Sequence, residues 1–412
     1  MAKPNADLLT SARLQAFEKL NIRPQQRIIL SLDGGGMRGI LTIQLLKQLE
    51  AVADIPCYEL VDMVAGTSTG AIIAGLIVTG HSAVEIERMY ESLVTEVFDK
   101  RLLGNRFINP PAFSKKKYRK LLEEKVGDIT LEEACRSKDI DLMITSKDMS
   151  AAEETFFSCF KQSDGTCYGT YKSVLLRSVM EATMSAPTYF YPLERFVDGG
   201  TTTYNNPALA AYIEAVSYST PHRSLVDGEK AICSAYDLSK ITLLSFGTGI
   251  SKQFIKPKES VNPDGIDIKF WLNWLMAEMG QDASAMQVDA FRSPMMRNSV
   301  IDFRRFQISL DPEAIKKLPN ADILDEKKYH SKWLHDLDEE ILGNIDMADI
   351  TRFDLMKAIG TQMAAYIMQY GYAFTKDMVT DRGRDLLVTA SGDVTRIQKQ
   401  MSDPKWLESF IA

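Results

Sequence analysis

The chain has 412 residues, 45% of them apolar and 25% charged, which is the composition of a globular protein long enough to bury a large core and hold two or three units. A formal charge of -7 argues against a nucleic-acid polymer as partner, since that needs a basic face, and leaves contact with an anionic membrane to a local basic patch. Cys57, Cys135, Cys159, Cys167 and Cys233 are an odd set with no C-x-x-C pair, as expected in a reducing compartment. No apolar run approaches the ~20 residues of a spanning helix and residues 1–10 lack a secretory signal, so the expected location is cytoplasmic, with peripheral contact at a membrane surface.

Residues 1–26 form an N-terminal extension in which Leu9, Ala16, Phe17 and Leu20 make one apolar stripe on a short helix. Packing on the domain is the favoured role; a membrane-surface helix is the alternative, with Lys3, Arg13 and Lys19 sparse for it. From Ile28 to Leu32 the chain reads as a buried strand, followed by Asp33-Gly34-Gly35-Gly36-Met37-Arg38-Gly39 and an amphipathic helix from Ile40 to about Ala53. Glycines between a strand and a helix expose backbone N–H groups where the helix dipole favours an anion. Two anions fit. The amides of Gly34, Gly35, Gly36, Met37, Arg38 and Gly39 could form an oxyanion hole, with Arg38 adding positive charge. Alternatively Gly34, Gly36 and Gly39 form the G-x-G-x-x-G of a dinucleotide loop, which also wants an acidic residue at the end of the next strand.

That next strand ends otherwise. Leu60 to Val78 reads as an apolar strand, then Gly66-Thr67-Ser68-Thr69-Gly70, then a helix of small and apolar residues. This is the pattern of a nucleophile elbow with Ser68 at its apex, where Gly66 and Gly70 let helix and strand approach closely. No lysine follows Gly70, so it is not a Walker loop. Ser114 to Lys120 carries five basic residues, but Tyr118, Leu121, Leu122 and Val126 form a helical stripe, and Arg119 with Glu123 and Lys120 with Glu124 stand at i,i+4. A solvated helix face is favoured over a headgroup-binding patch. Residues 140–146 and 155–160 read as strands and 173–183 as a helix. Phe196-Val197-Asp198-Gly199-Gly200 then puts a carboxylate just past a short strand.

The glycine loop at Asp33–Gly39, the elbow at Gly66–Gly70 and the Asp198-Gly199-Gly200 block, in that order, resemble the patatin-like phospholipase family. The similarity extends to Lys125-Val126-Gly127-Asp128, Ser185 to Phe190, Asn206-Pro207 and Leu243 to Gly249, and so spans roughly residues 27–250. It implies a three-layer α/β/α patatin-like fold with a largely parallel sheet and a catalytic domain at 27–250; beyond about Ser251 the composition changes, and residues 251–412 are expected to add a mostly helical C-terminal region packed on that domain. It also implies a serine paired with an aspartate, here Ser68 and Asp198, acting on acyl esters of membrane lipids with no cofactor and no metal. Some bacterial members of the family are switched on by nucleotide signals, so a small-molecule activator is a further partner to test; no motif here decides it, nor the oligomeric state. The rival is a catalytically idle lipid- or nucleotide-binding module that keeps the glycine loop.

A histidine base has no clear candidate: His81 follows the elbow helix, His222 sits in a polar loop, and His330 and His335 lie in a charged C-terminal stretch. A dyad in which Asp198 takes the Ser68 proton is the expectation, with burial raising the carboxyl pKa toward the working range. In the C-terminal region, Phe270 to Met276 with Met279 could line an acyl groove, though a core helix is favoured. Residues 350–375 suggest an amphipathic helix covering the sheet.

Overall fold

The computed structural model describes residues 10–98, 113–161, 166–217, 236–250 apart from 238, 268–293, 296, 301–319, 342, 345–376, 378–380 and 398–408; some helix and strand residues, 268–279 among them, are described by backbone alone. In chain order the elements are α1 (Ser11–Lys19), β1 (Arg27–Leu32), α2 (Gly39–Ala53), α3 (Cys57–Leu60), β2 (Met63–Thr67), α4 (Thr69–Val78), α5 (Ala83–Phe98), α6 (Lys115–Val126), α7 (Leu131–Lys138), β3 (Asp141–Asp148), β4 (Glu153–Lys161), β5 (Cys167–Tyr168), α8 (Leu176–Thr183), β6 (Phe196–Asp198), α9 (Ala208–Ser217), β7 (Ile241–Phe246), α10 (Ile268–Arg292), β8 (Asp302–Ile308), α11 (Pro312–Lys316), α12 (Phe353–Tyr370) and β9 (Met378–Thr380).

The strands form one sheet in the order β5-β4-β3-β2-β1-β7-β8-β9, with β6 paired to β3. From β3 to β9 along that path every neighbouring pair is parallel, whereas β4, β5 and β6 join antiparallel. Side chains alternate across the sheet. Ile28, Leu30 and Leu32 of β1 point into a core shared with α1, α2, α4, α5 and α12. Ile29, with Met63, Ala65, Met143 and Leu243, points into a second core under α9 and the end of α10. Strands buried on both faces between two helical layers make a three-layer α/β/α fold.

Several expectations need amending. The sheet runs on past residue 250, where β8 and β9 extend the β7 edge among the mostly helical elements of that region. Arg119 does not reach Glu123: it forms a two-pronged contact with Glu181 of α8, 2.7 Å for each prong, because α6 packs on α8. Lys120 does pair with Glu124, at 3.7 Å. In the N-terminal extension, α1 buries Ala16, Phe17 and Leu20, and residues 1–9 lie outside the described residues. Residues 270–279 are helical, but their side chains, like His222, His330, His335 and Cys233, lie outside the described residues. The four described cysteines are free and buried. Among the described residues no helix is long and apolar enough to cross a membrane.

Strand order reverses between β1 and β7: β2 and β3 lie on one side, β7 to β9 on the other. In an open α/β sheet the crevice at the carboxyl ends of the strands, beside such a switch point, is where ligands bind. Three chain segments lead off β1, β2 and β7 at that end: Asp33–Arg38, Ser68, and Gly247–Gly249.

Candidate active site

Ser68 stands between β2 and α4 with φ 52° and ψ -119°, a left-handed conformation that costs a non-glycine residue energy and needs its surroundings to hold it. Close packing holds it. A Cβ on Gly66 would lie 2.5 Å from the Gly70 carbonyl oxygen, and one on Gly70 would lie 2.2 Å from the Leu32 carbonyl oxygen. Those two backbone contacts seat the start of α4 on β2 and on the end of β1. All ten residues of α4 are buried, so the helix cannot move away from the sheet. The Ser68 amide donates to Thr183 Oγ1 at 2.8 Å, and Thr183 Oγ1 donates to the Thr145 carbonyl at 2.8 Å. The apex is thus tied to β3 through a buried threonine of α8.

Asp198 ends β6, whose register with β3 sets Ser146 opposite Asp198. Ser68 Oγ donates to Asp198 Oδ2 at 2.7 Å, and the Gly200 amide donates to Oδ1 at 2.6 Å. Both side chains are buried. Burial raises the carboxyl of Asp198 from 3.8 to about 6, with the Gly200 and Ser68 hydrogen bonds pulling the other way. His81 follows the far end of α4, on the order of 15 Å of helix from Ser68 at 1.5 Å rise per residue.

The glycine loop lies against the elbow: a Cβ on Gly34 would sit 3.2 Å from Ser68 Cβ. Of its six amides, four already donate within the fold. Gly34 donates to the Asn205 carbonyl at 3.1 Å, Met37 to the Met347 carbonyl at 2.8 Å and Arg38 to the Gly35 carbonyl at 3.2 Å. The Gly39 amide bonds back to the Gly36 and Met37 carbonyls. The amides of Gly35 and Gly36 have no acceptor among the described residues. Of the six, those two N–H groups are the ones left available to an acceptor from outside the described residues. Arg38 is half-buried beside Tyr189 and Asp346; burial lowers its pKa while those two neighbours pull it back up. Tyr189 in turn donates to Asp346 at 2.8 Å.

Sequence reasoning missed Arg305. It projects from β8, beyond the family resemblance, and bonds Asp33 at both carboxylate oxygens, with Nη1 to Oδ1 at 2.8 Å, while the same Nη1 donates to Ser245 at 2.7 Å. Both partners of the ion pair are buried, at 2% and 4% exposure. It anchors the residue from which the glycine loop starts. Its only signal in the sequence is an Arg304-Arg305 pair inside an otherwise alternating strand, which does not say whom it meets. Met347, whose carbonyl caps the Met37 amide, carries no sequence signal at all. Among the described residues no cluster of His, Cys, Asp or Glu could hold a metal.

A strained serine at a strand-to-helix turn, a buried carboxylate on its hydroxyl, and two unpaired amides in the adjoining glycine loop define the class: an α/β fold with an elbow-borne serine at its switch point. Residues 30–212 match the family model described as patatin-like phospholipase. Over those residues, which hold the glycine loop, the elbow and Asp198, the chain resembles that family. It is 29% identical over 261 residues to the mouse 85/88 kDa calcium-independent phospholipase A2, covering 60% of this chain and 30% of that protein. It is 27% identical over 307 residues to rice patatin-like protein 2, covering 64% of this chain and 69% of that one. A third relative, the cGAMP-activated phospholipase of Escherichia coli, is 31% identical over 209 residues, covering 47% of this chain and 56% of the other. The chain thus spans less than a third of the mouse relative's length.

Proposed function

We propose that this protein is a lipid acyl hydrolase of the phospholipase A or lysophospholipase type. The reading is carried by one observation, the 2.7 Å bond from Ser68 Oγ to the buried Asp198 carboxylate. A carboxylate raised to about 6 is a better base than a solvated one and is still ionised at neutral pH. Asp198 accepts the Ser68 proton as Oγ attacks the ester carbonyl. The tetrahedral oxyanion is bound by the amides of Gly35 and Gly36, and the N-terminus of α4 adds its partial positive charge. Collapse breaks the ester C–O bond, and Asp198 returns the proton to the leaving lysolipid alcohol. Asp198 then takes a proton from water, whose oxygen attacks the acyl carbonyl; collapse breaks the bond to Ser68 Oγ, Asp198 returns the proton to Oγ, and the fatty acid leaves.

Three relatives named as phospholipases support the substrate class, and two Escherichia coli relatives are named for activation by cGAMP and cUMP-AMP. Membrane lipids as substrate, peripheral docking from the cytoplasm and a cyclic-nucleotide activator are therefore part of the proposal. Mixed-lipid liposomes incubated with the protein, with and without cyclic dinucleotides, are read by lipid mass spectrometry. Release of free fatty acid by the wild type and its loss in Ser68→Ala is the expected result. No release under either condition, together with binding of the liposomes or nucleotide, would instead make the chain a binding module.

A further inference from the structure

We infer that Thr248 is a positioning residue for the glycine loop, its hydroxyl fixing the direction of the Gly34–Gly35 peptide so that the Gly35 N–H faces the reacting carbonyl. The inference rests on the acyl-hydrolase reading above and adds to it the source of the loop's order.

Three consecutive glycines are the most permissive backbone a chain can have, and their peptide planes do not hold a direction by themselves. An oxyanion donor is effective only when it is already aimed before charge develops. The orientation must therefore come from outside the loop. In a trans peptide the C=O and N–H point in opposite directions, so whatever holds the carbonyl aims the amide.

Each carbonyl of the loop has such a holder. The Gly36 carbonyl accepts from Thr69 Oγ1 at 2.9 Å and from the Tyr90 hydroxyl. That of Gly35 accepts from the Arg38 amide at 3.2 Å. The Gly34 carbonyl, which belongs to the peptide carrying the unpaired Gly35 amide, accepts from Thr248 Oγ1 at 2.7 Å. Asn205 Nδ2 also approaches that carbonyl, but at 3.5 Å, too long to replace the hydroxyl.

The contact between the loop and Thr248 is as tight as the chain permits. A Cβ on Gly35 would lie 2.3 Å from Thr248 Oγ1 and 2.6 Å from Thr248 Cβ. Gly35 takes φ 170° and ψ 17°, and a side chain at that position would run directly into Thr248. Thr248 is itself held. It is buried at the end of β7, and the following Gly249 amide donates to Gln307 Oε1 of β8 at 2.8 Å. The Leu243–Gly249 block, part of the family resemblance without an assigned role, thereby acquires one.

The test is steady-state hydrolysis of a soluble p-nitrophenyl ester, with a trifluoromethyl ketone as transition-state analogue. Thr248→Val keeps the shape and removes the donor. It should lower kcat about tenfold or more with KM little changed, less than the loss of a whole oxyanion donor. The inhibition constant of the ketone should rise in step with the fall in kcat/KM, and Thr248→Ser should recover most of the loss. Thr248→Ala decides the matter if the valine variant does not fold. A folded Thr248→Val with wild-type kcat, or a serine variant as impaired as the valine one, would overturn the inference while leaving the hydrolase reading intact. A wild type that neither hydrolyses the ester nor binds the ketone would overturn that reading, and the inference with it.

Discussion

The serine elbow and the glycine loop face each other across the same crevice, yet they are held in opposite ways. Around Ser68 the constraint is mainly steric: Gly66 packs on Gly70, Gly70 on Leu32, and the whole of α4 is buried directly behind, with one hydrogen bond from the Ser68 amide to the distant Thr183. The loop from Gly34 to Met37 has no such backing of its own. Its direction comes from Thr248, Arg305 and Met347, each more than two hundred residues further along the chain. A strained turn whose glycines pack on its own strand and helix can be recognised within five residues; a permissive loop depends on whatever the fold brings to it. The lesson concerns the C-terminal region, where β8 and the segment at Met347 complete the support of the loop.

This contrast can be broken first at the elbow. Ser68→Ala and Asp198→Asn should each lower kcat/KM for a soluble ester by about 10⁴-fold or more, as expected when one member of a catalytic unit is lost. Circular dichroism should show both variants folded. A residual activity within tenfold of wild type in either would show that the hydroxyl and carboxylate do not act together.

Next comes the loop's anchor. Arg305→Met would leave Asp33 buried without its partner, and removing one member of a buried ion pair costs about 3–5 kcal/mol. Urea denaturation should show a loss of that size. A loss below about 1 kcal/mol would mean that Asp33 finds another partner or takes up a proton at little expense.

The raised carboxyl at Asp198 makes a pH prediction for the elbow. Activity requires the ionised form, so kcat/KM should fall as pH drops through about 6. The stability effect has the opposite sign. The folded state binds this proton more tightly than the unfolded chain does, so the group's contribution to stability declines as pH rises from 3.8 through about 6 and stays low above it. Asp198→Asn should therefore melt higher than the wild type at pH 8 while being inactive. An acid limb near 4, or a lower melting point for the variant, would contradict the buried environment.

The smallest effect belongs to Tyr90. Its hydroxyl shares the Gly36 carbonyl with Thr69 Oγ1, so Tyr90→Phe leaves one donor in place and should cost about 1 kcal/mol, or roughly fivefold in kcat. A loss as large as that of Thr248→Val would mean that the two sides of the loop are not held differently after all.

Much of this was legible before any coordinates. Ser68, Asp198 and the glycine run announce themselves because glycine spacing and strand-helix patterning are local properties. What was not legible is partnership. Nothing in the spacing says that Arg119 leaves Glu123 for Glu181, that Arg305 meets Asp33, or that Met347 caps Met37, because those pairings are set by the packing of distant elements. The extension of the sheet past residue 250 was hidden for a related reason: β9 is three residues long, and β8 carries a buried arginine pair that interrupts its alternation.

The proposed activation of the Ser68 hydroxyl by the Asp198 carboxylate has a direct chemical readout. Reaction with a fluorophosphonate, located by peptide mass spectrometry and timed in the wild type and in Asp198→Asn, tests it most directly. A single adduct on Ser68 is expected, forming at least about 10³-fold more slowly in the variant. An unmodified Ser68 in the wild type, or equal labelling rates in the two proteins, would contradict it.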